Sequence, residues 1–318
     1  MELLYNSQFL KHDQNSHPEN SRRLSAFTRL PQTEIENGES YLPLVHSRDY
    51  ISYIKSAYPQ KTLVDADTYI NEYSYQTACL AAGAAVMASQ TSDFALVRPP
   101  GHHAHKDHAA GFCIFNNLAI AVQNLVRQGQ KVCILDIDGH LGDGTMDFFY
   151  REDRVLYVSL HQYPAYPGRG NFDEIGEGKG KGFTVNIPLP PDSAGDIYLD
   201  AVSVWLPAAG KFKPDTVAVS AGFDAHHSDP LLNLNLTLST YYDIGKILSE
   251  NFKKIFAVLE GGYVPGFLQK NVVNFCRAIN GKPMLFDEDN IQSEKPVLAE
   301  YNKRKHKLYK SLSPYWKF

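Results

Sequence analysis

The chain has 318 residues, 43% of them apolar and 21% charged, with 22 Gly and 18 Pro, a globular balance that excludes a disordered or fibrous protein. Lys and Arg number 31 against 35 Asp and Glu, a net charge of −4, so the basic excess of a general nucleic-acid binder is missing and no direct nucleic-acid partner is expected. The four cysteines, Cys79, Cys113, Cys133 and Cys276, form no CxxC pair and are too sparse for a disulfide framework, so buried reduced thiols are expected.

The N-terminal stretch has no basic region followed by an apolar one, so it does not read as a signal peptide. Ala-rich residues 73–89 predict a helix and 94–98 a strand. Residues 117–127 carry apolar side chains at helical spacing, and 132–138, 154–160 and 184–189 are strand-like runs. A helix over 201–209 is weakened by Pro207, 216–223 and 255–259 are strands, and 239–251 is a helix with Ser239 as its N-cap candidate. Alternating strands and helices, with strands apolar throughout, predict an α/β fold of three layers: a mainly parallel sheet with helices on both faces. A single domain over residues 1–318 is expected, with the motifs in about 1–280 and a polar segment over 286–318. That segment carries the basic run Lys303 to Lys307, read as a solvated helix or tail packed by Tyr309 and Trp316 or, less simply, as a nuclear or partner-binding signal. No apolar run reaches the roughly 18 residues of a membrane span, and a cytoplasmic monomer is the default expectation.

Histidine is the unevenly spread residue: of 12, eight fall between His102 and His227, including two His-His pairs. In open parallel sheets ligands sit beyond the carboxyl ends of the strands. The strand ends here are followed by PPGHHAHKDH, DIDGHLGDG, SAGFDAHHSDP and EGGY, so these segments can meet on one rim. Asp138 and His140, two apart on an extended segment, face one side and can grip one ion, with Asp224 the natural third ligand. A surface loop with a capping Asp is the plain alternative. Asp136 and Asp143 remain as partners that orient His102 and His103, the arrangement of a general base for water, against a simple loop-capping role. Tyr263, delivered by a glycine pair, can donate to an oxyanion or merely pack at a turn. Together these parts read as metal-assisted amide hydrolysis.

The segments RPPGHHAHKDHAAGFCIFNN, DIDGHLGDGT, VSLHQYPAYPG, VSAGFDAHHSDPL and LEGGY, with HPENSRRL near the N-terminus, resemble the zinc-dependent histone deacetylase superfamily, its class II and bacterial branches most. That superfamily includes acetylpolyamine amidohydrolases and acetoin-utilisation proteins. The resemblance implies an arginase/deacetylase-like fold with zinc on Asp138, His140 and Asp224. It implies His103 with Asp143 as the main general base and acid, His102 with Asp136 as electrostatic support, and Tyr263 as the group polarising the acyl carbonyl. Phe112 and Tyr166 would line the acyl tunnel, and Asp67 would hold a substrate backbone at the rim. A structural potassium ion would sit near Asp136, Asp138, His140, Ser159 and Leu160. Two positions depart from the pattern: Leu141 replaces the usual second His, and His227 stands where relatives have Arg or Gly. His226 and His227 adjoin the proposed ligand Asp224 but are not needed to complete its set.

Three readings of the substrate follow: acetyl-lysine in proteins or peptides, small acetylated polyamines, or acyl-lysine binding without turnover. Every catalytic position is filled, which disfavours the last. Neutral Leu231 stands at the gatekeeper position, and only 16 residues separate Tyr50 from Asp67, leaving no room for a long inserted loop. An open, uncharged mouth favours acyl-lysine. The two-carboxylate, one-histidine set does not by itself separate zinc from iron.

Overall fold

The computed structural model describes residues 1–317; Phe318, the last residue of the expected domain, lies outside them. In chain order the elements are β1 (Leu3–Leu4), α1 (Arg48–Ala57), α2 (Ser74–Thr91), β2 (Phe94–Ala95), α3 (Asn117–Arg127), β3 (Val132–Asp136), α4 (Asp143–Phe149), β4 (Val155–Gln162), β5 (Thr184–Leu189), α5 (Gly195–Val204), α6 (Leu206–Phe212), β6 (Thr216–Ala221), α7 (Leu238–Asn251), β7 (Ile255–Leu259), α8 (Pro265–Ile279) and α9 (Lys295–Leu312). The strands form one parallel sheet in the order β1-β2-β7-β6-β3-β4-β5. Every residue of β3 to β7 is buried. Side chains alternate between the faces of a strand, so both faces must be covered, and the three-layer expectation holds. α2 packs on α3, and α7 packs on α8 and α5.

Several boundaries move for identifiable reasons. The strand expected over 94–98 pairs only through Ala95, because the chain then turns inward and carries Arg98 into the interior. The strands expected over 132–138 and 216–223 stop at Asp136 and Ala221: the Asp138 N–H leaves the ladder for Asp136 Oδ1 at 3.2 Å, and the Phe223 N–H donates to the carbonyl of Gly261 in the turn after β7 at 3.1 Å. The helix expected over 201–209 is two helices that meet at Trp205. Pro207 lies in the first turn of α6, where no intrahelical N–H donor is required. The cap of α7 is Thr237, in a reciprocal bond with Thr240, and Ser239 lies inside the helix.

The C-terminal segment is a docked helix rather than a free tail. Tyr301, Leu308 and Leu312 of α9 are buried, and the Trp316 indole donates to the Gly182 carbonyl at 2.6 Å. Its basic run is engaged locally: Arg304 Nη1 donates to the Tyr163 carbonyl at 2.6 Å and Lys305 Nζ to Asp200 Oδ2 at 2.7 Å. All four cysteines are free and buried. Among the described residues no helix is long and apolar enough to cross a membrane.

Candidate active site

Strand order and register bring the segments together. Asp136, the last residue of β3, lies level with Ser220 of β6 and Ser159 of β4, and Ala221 lies level with Leu259 of β7. The turns that follow β3, β6 and β7 therefore leave adjacent strands at the same height. They place one ligand atom each from Asp138, His140 and Asp224 within 4.8 Å of one another. The outer carboxylate oxygens are pinned by backbone: the Gly261 N–H donates to Asp138 Oδ2 at 2.8 Å and the Gly139 N–H to Asp224 Oδ1 at 2.7 Å. The other oxygens face His140 Nδ1, Asp138 Oδ1 at 3.3 Å and Asp224 Oδ2 at 2.7 Å. A Cβ on Gly261 would meet both carboxylates at 2.6 and 2.7 Å, so only glycine fits there.

The charge of this cluster calls for a cation. Both carboxylates are at most 1% exposed. Burial and the neighbouring Asp138 push Asp224 up, and against its own burial His140 is raised to about 10 by Asp224 and Asp138. Two buried anionic oxygens and one imidazole nitrogen, oriented by donors on their far sides, fit a divalent metal with room for further ligands.

Beside the cluster stand two His–Asp pairs. His103 Nδ1 is 2.8 Å from Asp143 Oδ1, and burial together with neighbouring His102 lowers its pKa to about 4, so the ring is neutral near pH 7. His102 Nδ1 is 3.3 Å from Asp136 Oδ2; against burial, Asp138 and Asp136 raise it well above the ordinary value. The two imidazoles stand side by side with ring centroids 4.0 Å apart, their pKa values pushed in opposite directions by their surroundings. His105 bridges Asp143 Oδ2 and Asp147 Oδ2, each at 3.2 Å, and Arg169 holds Asp147 with two bonds of 3.0 and 2.9 Å. Against burial, these aspartates raise His105 to about 9.

The mouth is a cavity of about 200 Å³ lined by Asp67, His103, Gly111, Phe112, His140, Tyr166, Leu231 and Tyr263. Tyr166, 46% exposed, stands edge-on to His103 at 5.0 Å, and Leu231 is 37% exposed. Phe112 meets the Tyr263 ring edge-on at 5.7 Å. Gly262, at φ +115°, gives the turn that delivers Tyr263. Burial and the neighbouring Asp65 raise the Asp67 carboxyl.

The sequence did not reveal what holds these groups. Under the 260–263 turn lies a buried charge network. Arg98 donates two hydrogen bonds to the Glu19 carboxylate, from Nε to Oε1 and from Nη2 to Oε2, Arg23 Nη1 donates to Glu19 Oε1 at 3.1 Å, and Arg23 Nε donates to the Gly262 carbonyl at 2.7 Å. Arg23 also sits 4.9 Å below the Tyr263 ring. Asp229 Oδ2 accepts the Tyr263 N–H at 2.7 Å, and Glu260 Oε2 accepts the N–H groups of Gly101 and His102 at 2.6 and 3.0 Å. The signal available was Glu19 four residues before Arg23, both charged in a segment with no solvated pattern. Leu141 is fully buried, and its side chain takes no part in the ligand set. Ser159 and Leu160 sit on β4 beside Asp136. His226 and His227 turn away from the cluster, to Glu288.

A parallel three-layer sheet with this acid–base and ligand set at its carboxyl edge defines an α/β protein of the arginase/deacetylase type. Residues 17–279 match the histone deacetylase domain, and the chain belongs to the histone deacetylase family. It is 37% identical to a probable deacetylase of Archaeoglobus fulgidus, across 95% of this chain and 91% of that protein. It is 35% identical to the chloroplastic histone deacetylase 10 of Oryza sativa subsp. japonica, across 96% and 80%. The crystal structure of the HDA15 HD domain superposes with a TM-score of 0.88 at 30% identity, covering 99% of this chain and 94% of that one.

Proposed function

We propose that the chain is a zinc-dependent amidohydrolase that removes acetyl or related acyl groups from the side-chain amine of acyl-lysine. The observation that carries this is the opening of one cavity onto His140 of the ligand cluster, His103 and Tyr263 together. Asp138, His140 and Asp224 would hold the zinc, which would supply Lewis acidity toward the acyl carbonyl and lower the pKa of water. The chain's own groups do the rest. With Nδ1 committed to Asp143, His103 has Nε2 free to take the proton of the attacking water and return it to the departing amine. His102, charged and held by Asp136, adds positive potential beside the developing oxyanion. The Tyr263 hydroxyl donates to that oxyanion, and its ring is backed by Phe112 and Arg23. Phe112 and Tyr166 are the walls for the acyl-lysine stem, and Asp67 at the rim accepts from the substrate backbone. A potassium ion near Asp136, Ser159 and Leu160 belongs to the same reading.

Neutral, half-exposed Leu231 at the mouth supports acyl-lysine over acetylated polyamines, which would gain from an anion there. The test is a side-by-side measurement of kcat/KM on an acetyl-lysine peptide and on acetylputrescine or acetylspermidine, before and after chelation and zinc readdition. Peptide preference that vanishes on chelation and returns with zinc is expected. Strong polyamine preference overturns the substrate, and turnover untouched by chelation overturns the metal.

A further inference from the structure

The two histidines that the catalytic cluster leaves unused carry a second arrangement. His226 and His227 follow β6 at the 224–231 turn, and Glu288 comes from the segment between α8 and α9, some 60 residues later. His226 Nε2 is 3.0 Å from Glu288 Oε2, and His227 Nε2 is 2.7 Å from Glu288 Oε1. The side chains of His226 and Glu288 are 1% and 16% exposed, while His227 is 31% exposed and leaves an open side for water. The partners of this trio and those of Asp138, His140 and Asp224 do not overlap.

We propose that His226, His227 and Glu288 form a second, structural site for a zinc-class transition-metal dication, separate from the catalytic one. Two imidazoles and a carboxylate are the donor set such ions prefer. One ligand atom from each of the three residues lies within 4.8 Å of the others, against roughly 3.3 Å between ligand atoms in a tetrahedral zinc site with bonds of about 2.0–2.1 Å.

Ser228 sets the tautomer that a metal would need. Its backbone N–H donates to His226 Nδ1 at 3.2 Å, and its hydroxyl lies 2.8 Å from the same nitrogen. A metal at Nε2 requires the proton on Nδ1, donated to the Ser228 hydroxyl, and the Ser228 N–H turned off the ring, the second-sphere pattern of metal-bound histidine. The Phe267 ring lies 4.5 Å from the His226 ring and limits its rotation. Glu288 Oε2 also accepts the Leu238 N–H at 3.0 Å, which ties the carboxylate to the first turn of α7. Lys270, held over the same Phe267 ring at 5.1 Å, opposes a cation, so the ion must win on coordination rather than on local charge. A metal here would clip the segment after α8 to the turn that carries Asp224 and Asp229.

The experiment is metal stoichiometry on the full chain. Apo protein is loaded with Zn²⁺, passed through a desalting column, and its zinc counted by plasma mass spectrometry. Two zinc ions per wild-type chain are expected, one in Asp224→Ala, one in Glu288→Gln and one in His227→Ala. The last variant changes a partly exposed side chain and guards against a folding failure at Glu288. Deacetylation by zinc-loaded Glu288→Gln and His227→Ala should persist. One zinc in the wild type, or a second zinc unaffected by both Glu288→Gln and His227→Ala, overturns the site. Because Asp224→Ala reads the catalytic metal separately, failure of one metal assignment leaves the other standing.

Discussion

The floor and the mouth of the cavity are built on different principles. The floor consists of Asp136, Asp138, Asp224 and Glu260, all at most 1% exposed and fixed by backbone donors at the ends of adjacent strands. The mouth consists of Phe112, Tyr166 and Leu231 on loops, with Tyr166 and Leu231 open to solvent and held by ring contacts or none. The floor is over-determined because a buried charge without a partner is very unfavourable, whereas an exposed apolar side chain costs little wherever it points. Chemistry should therefore be sensitive at the floor, and selectivity adjustable at the mouth with little effect on stability.

The sharpest break of that contrast is Asp224→Ala, which should lose the catalytic metal and reduce amide hydrolysis to background, as read by metal analysis and a rate assay. Full activity in a protein lacking that metal would end the floor's assigned role. Next comes Tyr263→Phe, which stands where floor and mouth meet. Loss of an oxyanion donor typically lowers kcat about 10²–10³-fold, with metal content and melting temperature unchanged; an unaltered kcat removes the tyrosine from the chemistry.

Arg98→Met tests the floor by stability instead. It removes the stronger of the two arginine partners of buried Glu19, leaving Arg23 with the Tyr69 hydroxyl and His12, and breaking such a network costs about 3–5 kcal/mol in urea denaturation. A change below about 1 kcal/mol would mean the network is not a support.

The same region should make the fold acid-sensitive. Burial lowers His12 to about 3, so the unfolded chain takes up a proton first, and stability present above about pH 6.5 declines as the pH falls toward 3. Burial opposes ionisation of Glu19, yet Arg98 and Arg23 hold it at about 2, so its contribution is complete above about pH 4.5 and is lost as the pH falls through 2. His46 and His161, both lowered to about 4 chiefly by burial, act in the same direction as His12. Burial raises Glu260 to about 7 and Asp136 to about 6, and these carboxyls pull the other way over the same range, so the test is a difference: the stability gap between the wild type and His12→Gln should shrink between pH 7 and 5, and a gap that stays constant would contradict the buried-neutral assignment of His12.

The smallest effect belongs to the mouth. Leu231→Glu adds an exposed anion and should shift kcat/KM toward acetylpolyamines by up to about fivefold relative to the peptide, the scale of an exposed ion pair, with no loss of stability. A fall in melting temperature would show that Leu231 supports the fold after all.

Much of this molecule is legible along the chain. Mostly apolar runs mark the buried strands, because a strand covered on both faces has little solvent to hydrate polar side chains, and those it does carry, such as Asp136 and Ser220, lie near the carboxyl ends. Residues after those strands carry the acids, imidazoles and tyrosine, and the identity of Asp138, His140 and Asp224 follows from type and spacing. The helices α4 and α8 escape because motif residues occupy the start of one and the other begins directly after the tyrosine turn. The helix α9 is only one of two forms expected for its segment, because it is amphipathic only weakly and is held by docking against β5 rather than by its own pattern.

By itself, then, the sequence determined the layer architecture and the edge of the sheet to which the acids, imidazoles and tyrosine of the candidate site are carried. Only the tertiary structure decided that β7, β6 and β3 are neighbours, that His105 braces Asp143, and that Arg23 and Glu19 reach under a turn more than 230 residues away. It also decided that Glu288 meets His226 and His227. The reason is physical. Periodicity and turn chemistry record what each residue needs from its neighbours in the chain, while a buried charge is matched by whichever opposite charge or donor the packing brings to it.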